Sequence, residues 1–314
     1  MKKGVLLVAL AGVLWGSVSI FTRELRQYGL SPGQMAAIRN CVAAIVLAGL
    51  AAAVSPGRFK TCGRELPLFA ISGISLAATG SLYYAAMERT SAAVAVVLLY
   101  TSPALVMLLS ALFLQERLTI GKLGGMLSAL AGCGLISGIA GGTRFEPSGV
   151  LIGLLSGLAY SIYTISVKIE MRRGNDAVTA VIYCFFFAAL TGIIFSSPGQ
   201  TVALILAQWD GRLFLLMMGL GLLCYTVPYL LYTFAIQRLP AGVAASMSVI
   251  EPMTAALLSV LLFGEALSIP AMIGIAAILI SAAVLTRDGQ EAEKQEKLYV
   301  REMRMHSKSR SENM

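Results

Sequence analysis

Long apolar runs separated by short polar breaks are the dominant pattern of this chain. Ten of these runs are about 20 residues long, the length that a helix needs to cross a hydrocarbon core about 30 Å thick. Breaks such as Ser31-Pro32-Gly33 and Leu239-Pro240 end the runs, because proline cannot continue a helix. The predicted spans are 4–22, 34–54, 66–87, 91–114, 119–139, 148–168, 177–196, 212–235, 241–263 and 268–286.

The composition agrees with a chain that lies in a bilayer. Apolar residues make up 57% of the 314 residues and charged residues only 13%, with a mean hydropathy of +0.80. A soluble domain carries about 25% charged residues, so a soluble fold is excluded. Helices satisfy their own backbone hydrogen bonds in lipid, and the alternating runs and Asn-Gly turns of a membrane barrel are missing. The sequence predicts an all-α integral membrane protein with ten transmembrane helices.

The basic residues predict the orientation of the spans. With the N-terminus inside, 18 of the 24 Lys and Arg residues fall on inner segments and five on outer ones, while Arg39 lies within a span. Because inner segments of membrane proteins are enriched in Lys and Arg, we expect a protein of the cytoplasmic membrane with both termini cytoplasmic. The net charge of +8 follows from this topology, so no nucleic-acid partner is needed to explain it.

A repeated segment indicates how the spans are arranged. Residues 82–118 match residues 231–267 at a constant offset of 149, with 14 identities in 37 positions that include a Tyr, an Arg, a Pro and a Glu. Each half holds five spans, an odd number, so the second half must enter the membrane in the opposite direction. Such inverted repeats are typical of transporters. The predicted parts are a first repeat at 1–140, a linker at 141–147, a second repeat at 148–286 and a charged cytoplasmic tail at 287–314.

Several short motifs follow one another in a fixed order along the ten spans. They are Trp15-Gly16, Arg39, Pro103 with Glu116-Arg117-Leu118, and Glu251-Pro252 with Gly264-Glu265-Ala266-Leu267. In this order they resemble the EamA-type transporters of the drug/metabolite transporter superfamily over residues 4–286. The resemblance implies two inverted five-helix repeats around a central cavity, alternating access, and often the export of amino acids or related metabolites. The second half departs from the pattern, since Leu158-Ala159 stands where Trp15-Gly16 is expected.

Arg39 is the first candidate for contact with a substrate. An arginine within a span is costly unless it faces protein or water. One interpretation is that Arg39 faces the cavity and binds a carboxylate, which fits the guanidinium fork. The alternative is that it reaches the outer interface or bonds helix carbonyls, since it lies only about 8 Å from the Pro32-Gly33 break at 1.5 Å per residue.

Glu251 is the second candidate, interpreted here as the only carboxylate well inside a span. It precedes Pro252, which loosens the local helix, and it could carry a coupling proton or contact the substrate. The alternative is a structural hydrogen bond to a neighbouring span. Its repeat-mate is Ser102, and such mismatches between the halves are the positions at which we expect the substrate.

Aromatic residues supply the expected cavity wall. Tyr225, Tyr229 and Tyr232 recur on one helical face, and Tyr160 and Tyr163 share another. Interfacial belts or packing between helices are the alternative. The full set of predicted substrate-binding residues is Trp15, Ser19, Arg39, Tyr84, Tyr100, Ser102, Tyr160, Tyr163, Tyr229 and Glu251.

Other polar residues are expected to be structural. Glu116 and Glu265 are repeat-mates at the ends of the fourth and ninth spans, and we expect each to accept hydrogen bonds from backbone N–H groups of the next helix. No phosphate-binding loop, metal-ligand cluster or nucleophile–base pair is found, so an enzyme, a cofactor or direct use of ATP is not expected. The predicted partners are the lipid bilayer, a small-molecule substrate and a proton as coupling ion. An exporter of amino acids is favoured over a multidrug or organic-cation efflux transporter, and a non-transporting membrane protein is the third alternative.

Overall fold

The computed structural model describes residues 2–54, 57, 63–116, 118–137, 146–264 and 268–287, and the regular elements in these ranges are helices. The linker at 141–147 and the tail at 287–314 lie almost entirely outside them, as does Glu265. The helices are α1 Lys2–Gly16, α2 Val18–Gln27, α3 Pro32–Val54, α4 Leu66–Arg89, α5 Ala92–Leu99, α6 Ser102–Leu114, α7 Ile120–Ser137, α8 Pro147–Arg172, α9 Ala177–Phe195, α10 Pro198–Ala207, α11 Gly211–Gly221, α12 Val227–Ile236, α13 Ala241–Met247, α14 Ile250–Phe263 and α15 Ile269–Arg287.

These helices form ten apolar stretches that coincide with the ten predicted spans. Nine stretches in the described residues are long and apolar enough to cross a membrane, and α7 is a shorter apolar helix that supplies the fifth span. Four spans are each built from two helices, namely the first (α1–α2), fourth (α5–α6), eighth (α11–α12) and ninth (α13–α14). The all-helical membrane fold is therefore confirmed. Helix α10, between the seventh and eighth spans, was not predicted.

The spans pack in symmetric pairs. The third span packs on the sixth, and their repeat-mates, the eighth and first spans, pack on each other in the same way. The second and seventh spans, also repeat-mates, pack on each other. At the crossing of the fifth and tenth spans, Ser128 Oγ donates to the carbonyl oxygen of Ala277 at 2.9 Å, and these two residues are 149 positions apart. A contact between repeat-mates lies at the two-fold axis that an inverted repeat requires.

The close contacts of two glycines show which residues of the first and sixth spans are equivalent. An added Cβ at Gly4 would lie 2.8 Å from the side chain of Leu239, and one at Gly149 would lie 2.7 Å from that of Thr90. Thr90 and Leu239 are repeat-mates at offset 149, so Gly4 and Gly149 are equivalent. The offset between these two spans is therefore 145.

This alignment corrects the sequence-based one. At offset 145 the equivalents of Trp15-Gly16 are Tyr160-Ser161, not Leu158-Ala159. The sequence comparison was wrong here because the connections between spans differ in length in the two halves. The corrected pair makes physical sense, because Trp15 and Tyr160 are both large aromatic residues.

The duplicated prolines interrupt the fourth and ninth spans near their middle. Pro103 lies in the first turn of α6, directly after a break at Tyr100 and Thr101. Pro252 lies in the first turn of α14, after the equivalent break at Ser248 and Val249. Proline has no backbone N–H to bond the preceding turn, so the two spans are broken at equivalent depths. Discontinuous helices at this depth are a common feature of transporter binding sites.

The first and eighth spans are also irregular. Helix α1 ends at Gly16, where an added Cβ would lie 2.8 Å from the carbonyl oxygen of Glu251, so only glycine permits this close approach. The eighth span contains a π-helical turn at Leu222–Thr226, in which the N–H of Val227 bonds the carbonyl of Leu222. The following Pro228 cannot donate to the carbonyl four residues before it, which explains the wider turn.

Candidate functional site

A cavity of about 730 Å³ lies between the two halves, within the size range of small-molecule sites. Its lining runs from the breaks at Tyr100 and Ser248 to Arg26, Pro32 and Ser268 at the ends of spans. We name the side with Arg26, Arg89 and Ser268 the outer face and the side with Lys2, Leu114 and Arg172 the inner face. This naming follows the charge distribution, and the orientation in the cell stays a prediction. The cavity opens toward the outer face.

Nine of the ten predicted site residues line this cavity, and the tenth does not. The lining residues among them are Trp15, Ser19, Arg39, Tyr84, Tyr100, Ser102, Tyr160, Tyr229 and Glu251. The geometry thus brings together residues from the first, second, third, fourth, sixth, eighth and ninth spans. Their contact with a substrate stays a prediction.

Arg39 lies inside the cavity wall, not at the interface. Its residue surface is only 8% exposed, and its Cζ lies 3.9 Å from the centre of the Tyr225 ring. Its Nη1 donates to the hydroxyl of Tyr84 at 3.4 Å, whereas Nε has no partner among the described residues. The alternative in which Arg39 reaches the outer interface is therefore wrong. A cation stacked on an aromatic face and only partly hydrogen-bonded retains donors for an anionic ligand.

Gly80 on the third span makes room for this guanidinium. An added Cβ at Gly80 would lie only 2.9 Å from Nη2 of Arg39, closer than ordinary contact distance. The missing side chain thus lets Arg39 extend along the third span toward Tyr84. Sequence inspection could not identify this role, because an isolated glycine in an apolar helix is most often a packing residue.

Glu251 lies across the cavity, at the break of the ninth span. Its carboxyl lies near the Tyr100 hydroxyl, which comes from the equivalent break of the fourth span. Glu251 is partly exposed and lines the cavity. Its repeat-mate Ser102 also lines the cavity but is buried. The two proline-induced breaks therefore present one carboxyl and one phenol to the same space.

The tyrosines of the eighth span divide into two groups. Tyr225 and Tyr229 stack at 5.6 Å and line the cavity, while Tyr232 is fully buried behind them against Trp15. The spacing had predicted one shared face for all three, and Tyr225 was left out of the predicted site. The π-helical turn adds a residue at Tyr225, and this change of phase could not be derived from apolar periodicity.

Tyr163 is the one predicted site residue that does not line the cavity. It is 1% exposed and packs edge-on against Tyr229 at 5.7 Å. Tyr160 and Tyr163 are three residues apart, so their directions differ by about 60° around the helix. That rotation turns Tyr163 away from the cavity toward the seventh and eighth spans, where it also lines a small gap with Cys184.

On the inner side a buried lysine joins two spans below the cavity. Lys168 Nζ donates to the carbonyl oxygens of Ile236 and Leu239 at 2.7 and 2.6 Å. Ile236 is the last residue of α12, where a cation is favoured by the helix dipole, and Leu239 lies in the turn that follows. The sixth span is thereby fixed to the eighth below the cavity.

Glu116 makes another inner contact, and this one joins the two halves. Its Oε1 accepts from the N–H of Ala241 at 3.0 Å, at the start of α13, and lies 3.9 Å from Arg172. Glu116 was predicted to cap the next helix, and it instead caps the helix that begins the ninth span. Arg172 also donates to the carbonyl of Leu114, so the fourth, sixth and ninth spans meet here.

The structure corrects the statement that Glu251 is the only carboxylate inside a span. Helix α8 continues to Arg172, past the predicted end of the sixth span at residue 168, and it therefore includes Glu170. Glu170 is fully buried, and neither of its carboxyl oxygens has a hydrogen-bond partner in the described part of the chain. Sequence reasoning missed it because Lys168 and Arg172-Arg173 marked a polar end to the run.

The EamA-like transporter family matches residues 2–138 and 147–287. An uncharacterized transporter of Clostridium kluyveri is 25% identical, over 90% of this chain and 93% of its own length. The threonine/homoserine exporter RhtA of Escherichia coli is 24% identical over 88% of each chain. A probable terminal-alkyne amino-acid exporter of Streptantibioticus cattleyicolor is also 24% identical, over 84% of this chain and 87% of its own.

A solved structure supports the same fold. A crystal structure that is 22% identical superposes with a TM-score of 0.75 and covers 93% of this chain and 99% of its own. Within the described residues, no group of three or more His, Cys, Asp or Glu residues could bind a metal ion. Two matched copies of the family cover nearly all ten spans, and the chain belongs to the EamA-like transporter family.

Proposed function

We propose that this transporter exports amino acids or closely related solutes by alternating access, with the substrate bound in the cavity between the two repeats. The observation that carries the proposal is the pairing of a buried arginine and a carboxyl across one aromatic cavity. Arg39 supplies the cationic side and Glu251 the acidic side. A molecule with a carboxylate and an ammonium group matches both.

Arg39 would bind the carboxylate end. Tyr225 and Tyr84 hold the guanidinium through ring stacking and one hydrogen bond, so its orientation is fixed before the substrate enters. Preorganised charge reduces the entropy that binding must overcome. A buried cation beside its anion is also screened less than one in water.

Glu251, with Tyr100, would bind the ammonium end. The aromatic rings of Tyr225, Tyr229 and Trp15 form the wall between the two ends. Aromatic faces attract cations and also bury apolar side chains. The cavity can therefore accept side chains of different size.

The inner contacts give alternating access a structural basis. In this conformation the cavity opens to the outer face. Lys168 joins the inner ends of the sixth and eighth spans, and Glu116 joins those of the fourth and ninth. The inward-facing state requires these contacts to break and the outer ends to close. Because the halves are inverted repeats, the same rearrangement in the other half would close the outer side. With the cytoplasmic termini predicted from charge, the direction that fits the exporters among the relatives is outward.

Efflux of organic cations is the second candidate. The observation that favours it is the set of tyrosines around Glu251, which resembles a cage for a quaternary ammonium group. Arg39 argues against it, since a buried guanidinium beside Tyr225 repels a second cation.

The test is an exchange assay with purified protein in proteoliposomes. The vesicles are loaded with a mixture of the twenty protein amino acids, and the outside receives the same mixture with an isotopic label. Mass spectrometry then identifies which labelled compounds enter. We expect exchange of a subset of amino acids and none of tetraethylammonium or ethidium. Exchange of the cations alone would establish the second candidate, and exchange of neither would refute both.

A further inference from the structure

We propose that Glu170 is a proton-carrying site of this transporter, protonated while the cavity is open to the outer face and ionised when the inner side opens. The inference rests on the proposed function and adds the coupling ion to it. It assigns the proton to Glu170, not to Glu251, which contacts the substrate space. Its basis is a fully buried acid with both oxygens unpaired.

The surroundings of Glu170 do not stabilise an anion. The Ser72 hydroxyl of the third span lies beside the carboxyl, but its proton is donated to the carbonyl oxygen of Phe69 at 2.9 Å. Cys184 of the seventh span and Tyr163 of its own helix line the same gap as Glu170, and both are neutral when buried. An unpaired carboxylate in such a place costs several kcal/mol, whereas a protonated acid is tolerated.

The charged groups nearby do not change this conclusion. Glu65, before the third span, is itself acidic and opposes ionisation of Glu170. Lys168 is two residues away, but its ammonium donates to the carbonyls of Ile236 and Leu239. Arg173 donates to Glu65. From the eighth span only Thr233 and Tyr229 line the gap next to Glu170, and neither carries charge.

The position of Glu170 links it to the substrate site. Tyr229 lines both the main cavity and the gap next to Glu170, and Tyr163 packs between them. This gap is too small for a water molecule while Tyr229 stays in place. Movement of Tyr229 as the substrate leaves the cavity would open the gap to water from the outer face, and Glu170 would take up its proton from the outer solution by this route.

The inner contacts link Glu170 to the conformational change. Lys168 is on the same helix, and its release from α12 is required for the inner side to open. Water that then enters would reach Glu170, and the proton would leave to the inner solution. One proton would move inward for each substrate moved outward, so an inward proton gradient would drive export.

The test compares Glu170→Gln with wild type in proteoliposomes. Gln is a neutral isostere of the protonated acid, so exchange of the amino-acid mixture at equal pH should remain. Net efflux of the loaded amino acids should increase several-fold in wild type when the outside is made acidic, and this increase should disappear in Glu170→Gln. Glu88→Gln, the same change at an exposed position, should behave as wild type.

Each result decides the proposal. A normal response of Glu170→Gln to the pH gradient would overturn it. Exchange by wild type without any response to the pH gradient would also overturn it, but would leave the proposal of amino-acid export intact. Absence of exchange in wild type would refute the proposed function instead. Failure of Glu170→Gln to fold would also overturn the inference, because a neutral isostere should be tolerated.

A spectroscopic measurement is independent of transport. The infrared spectrum of the purified protein at pH 7 should contain the carbonyl stretch of a protonated carboxylic acid that Glu170→Gln lacks. Identical spectra in this region would show that Glu170 is ionised in the outward-open state and would overturn the proposal.

Discussion

Gly80→Ala should weaken substrate binding without weakening the fold. The added Cβ would lie 2.9 Å from Nη2 of Arg39, and ordinary contact begins at 3.4 Å. The guanidinium is the flexible end of its side chain, so it will move and the helices will not. The hydrogen bond from Arg39 to Tyr84 is already 3.4 Å long and would be lost with a shift of this size.

The two effects of this substitution have opposite signs. The displaced guanidinium would donate one well-aligned hydrogen bond fewer to the substrate carboxylate, which costs about 1.5 kcal/mol and corresponds to about tenfold weaker binding. The 3.4 Å bond to Tyr84 is too long to contribute much to folding stability. Alanine in place of a glycine within a helix favours folding by about 1 kcal/mol. The melting temperature should therefore stay the same or rise while the dissociation constant increases.

Isothermal titration of the transported amino acid and a thermal melt measure both quantities on one preparation. Gly49→Ala is the matched control, because Gly49 is within α3 and an added Cβ there meets nothing within 4 Å. It should leave the affinity unchanged. Wild-type affinity in Gly80→Ala would refute the role assigned to Arg39, and equal loss of affinity in both variants would show a general helix effect.

Three further changes test other parts of the structure. Lys168→Met removes two hydrogen bonds, one to the end of α12 and one to the turn that follows, so hydrogen exchange of the backbone amides from 236 to 247 should accelerate. Unchanged exchange would show that Lys168 does not hold the inner side closed. Glu116→Ala leaves the first turn of α13 uncapped and should lower stability by about 1 kcal/mol in a thermal melt, with exposed Glu88→Ala as the control. A hydrogen bond from Asn175, together with Arg173, lowers the pKa of Glu65 below its ordinary value of 4.5. This stabilisation is present above about pH 4.5 and is lost as the pH falls further, through the lowered pKa of the folded state. The melting temperature of wild type should therefore fall more steeply between about pH 5 and 3 than that of Glu65→Gln, and parallel curves would contradict it.

The sequence could predict the spans because each depends on length and apolarity alone. Arg39 and Glu251 could be selected for a similar reason, since a charge within a span is rare and costly wherever it points. The duplicated Pro103 and Pro252 also predicted weak points in two helices. These are properties of single residues or of short runs.

Other features depend on the direction in which each side chain leaves its helix and on partners from distant spans. The π-helical turn before Pro228 changed which tyrosines face the cavity, and a rotation of about 60° removed Tyr163 from it. Glu170 was missed because the end of a span is marked by polar residues, and buried polar residues produce the same signal. The role of Gly80 could be recognised only with Arg39 in place beside it.

Binding of an amino acid and of its decarboxylated amine to wild type and to Arg39→Ala tests the central claim most directly. Removal of one partner of a buried charge pair costs about 2–5 kcal/mol, which corresponds to a loss of affinity of roughly 30-fold or more. We expect the amino acid to lose this affinity in Arg39→Ala and the amine, which has no carboxylate, to be affected much less. Equal affinity of wild type and Arg39→Ala for the amino acid would contradict the assignment of Arg39 as the carboxylate site.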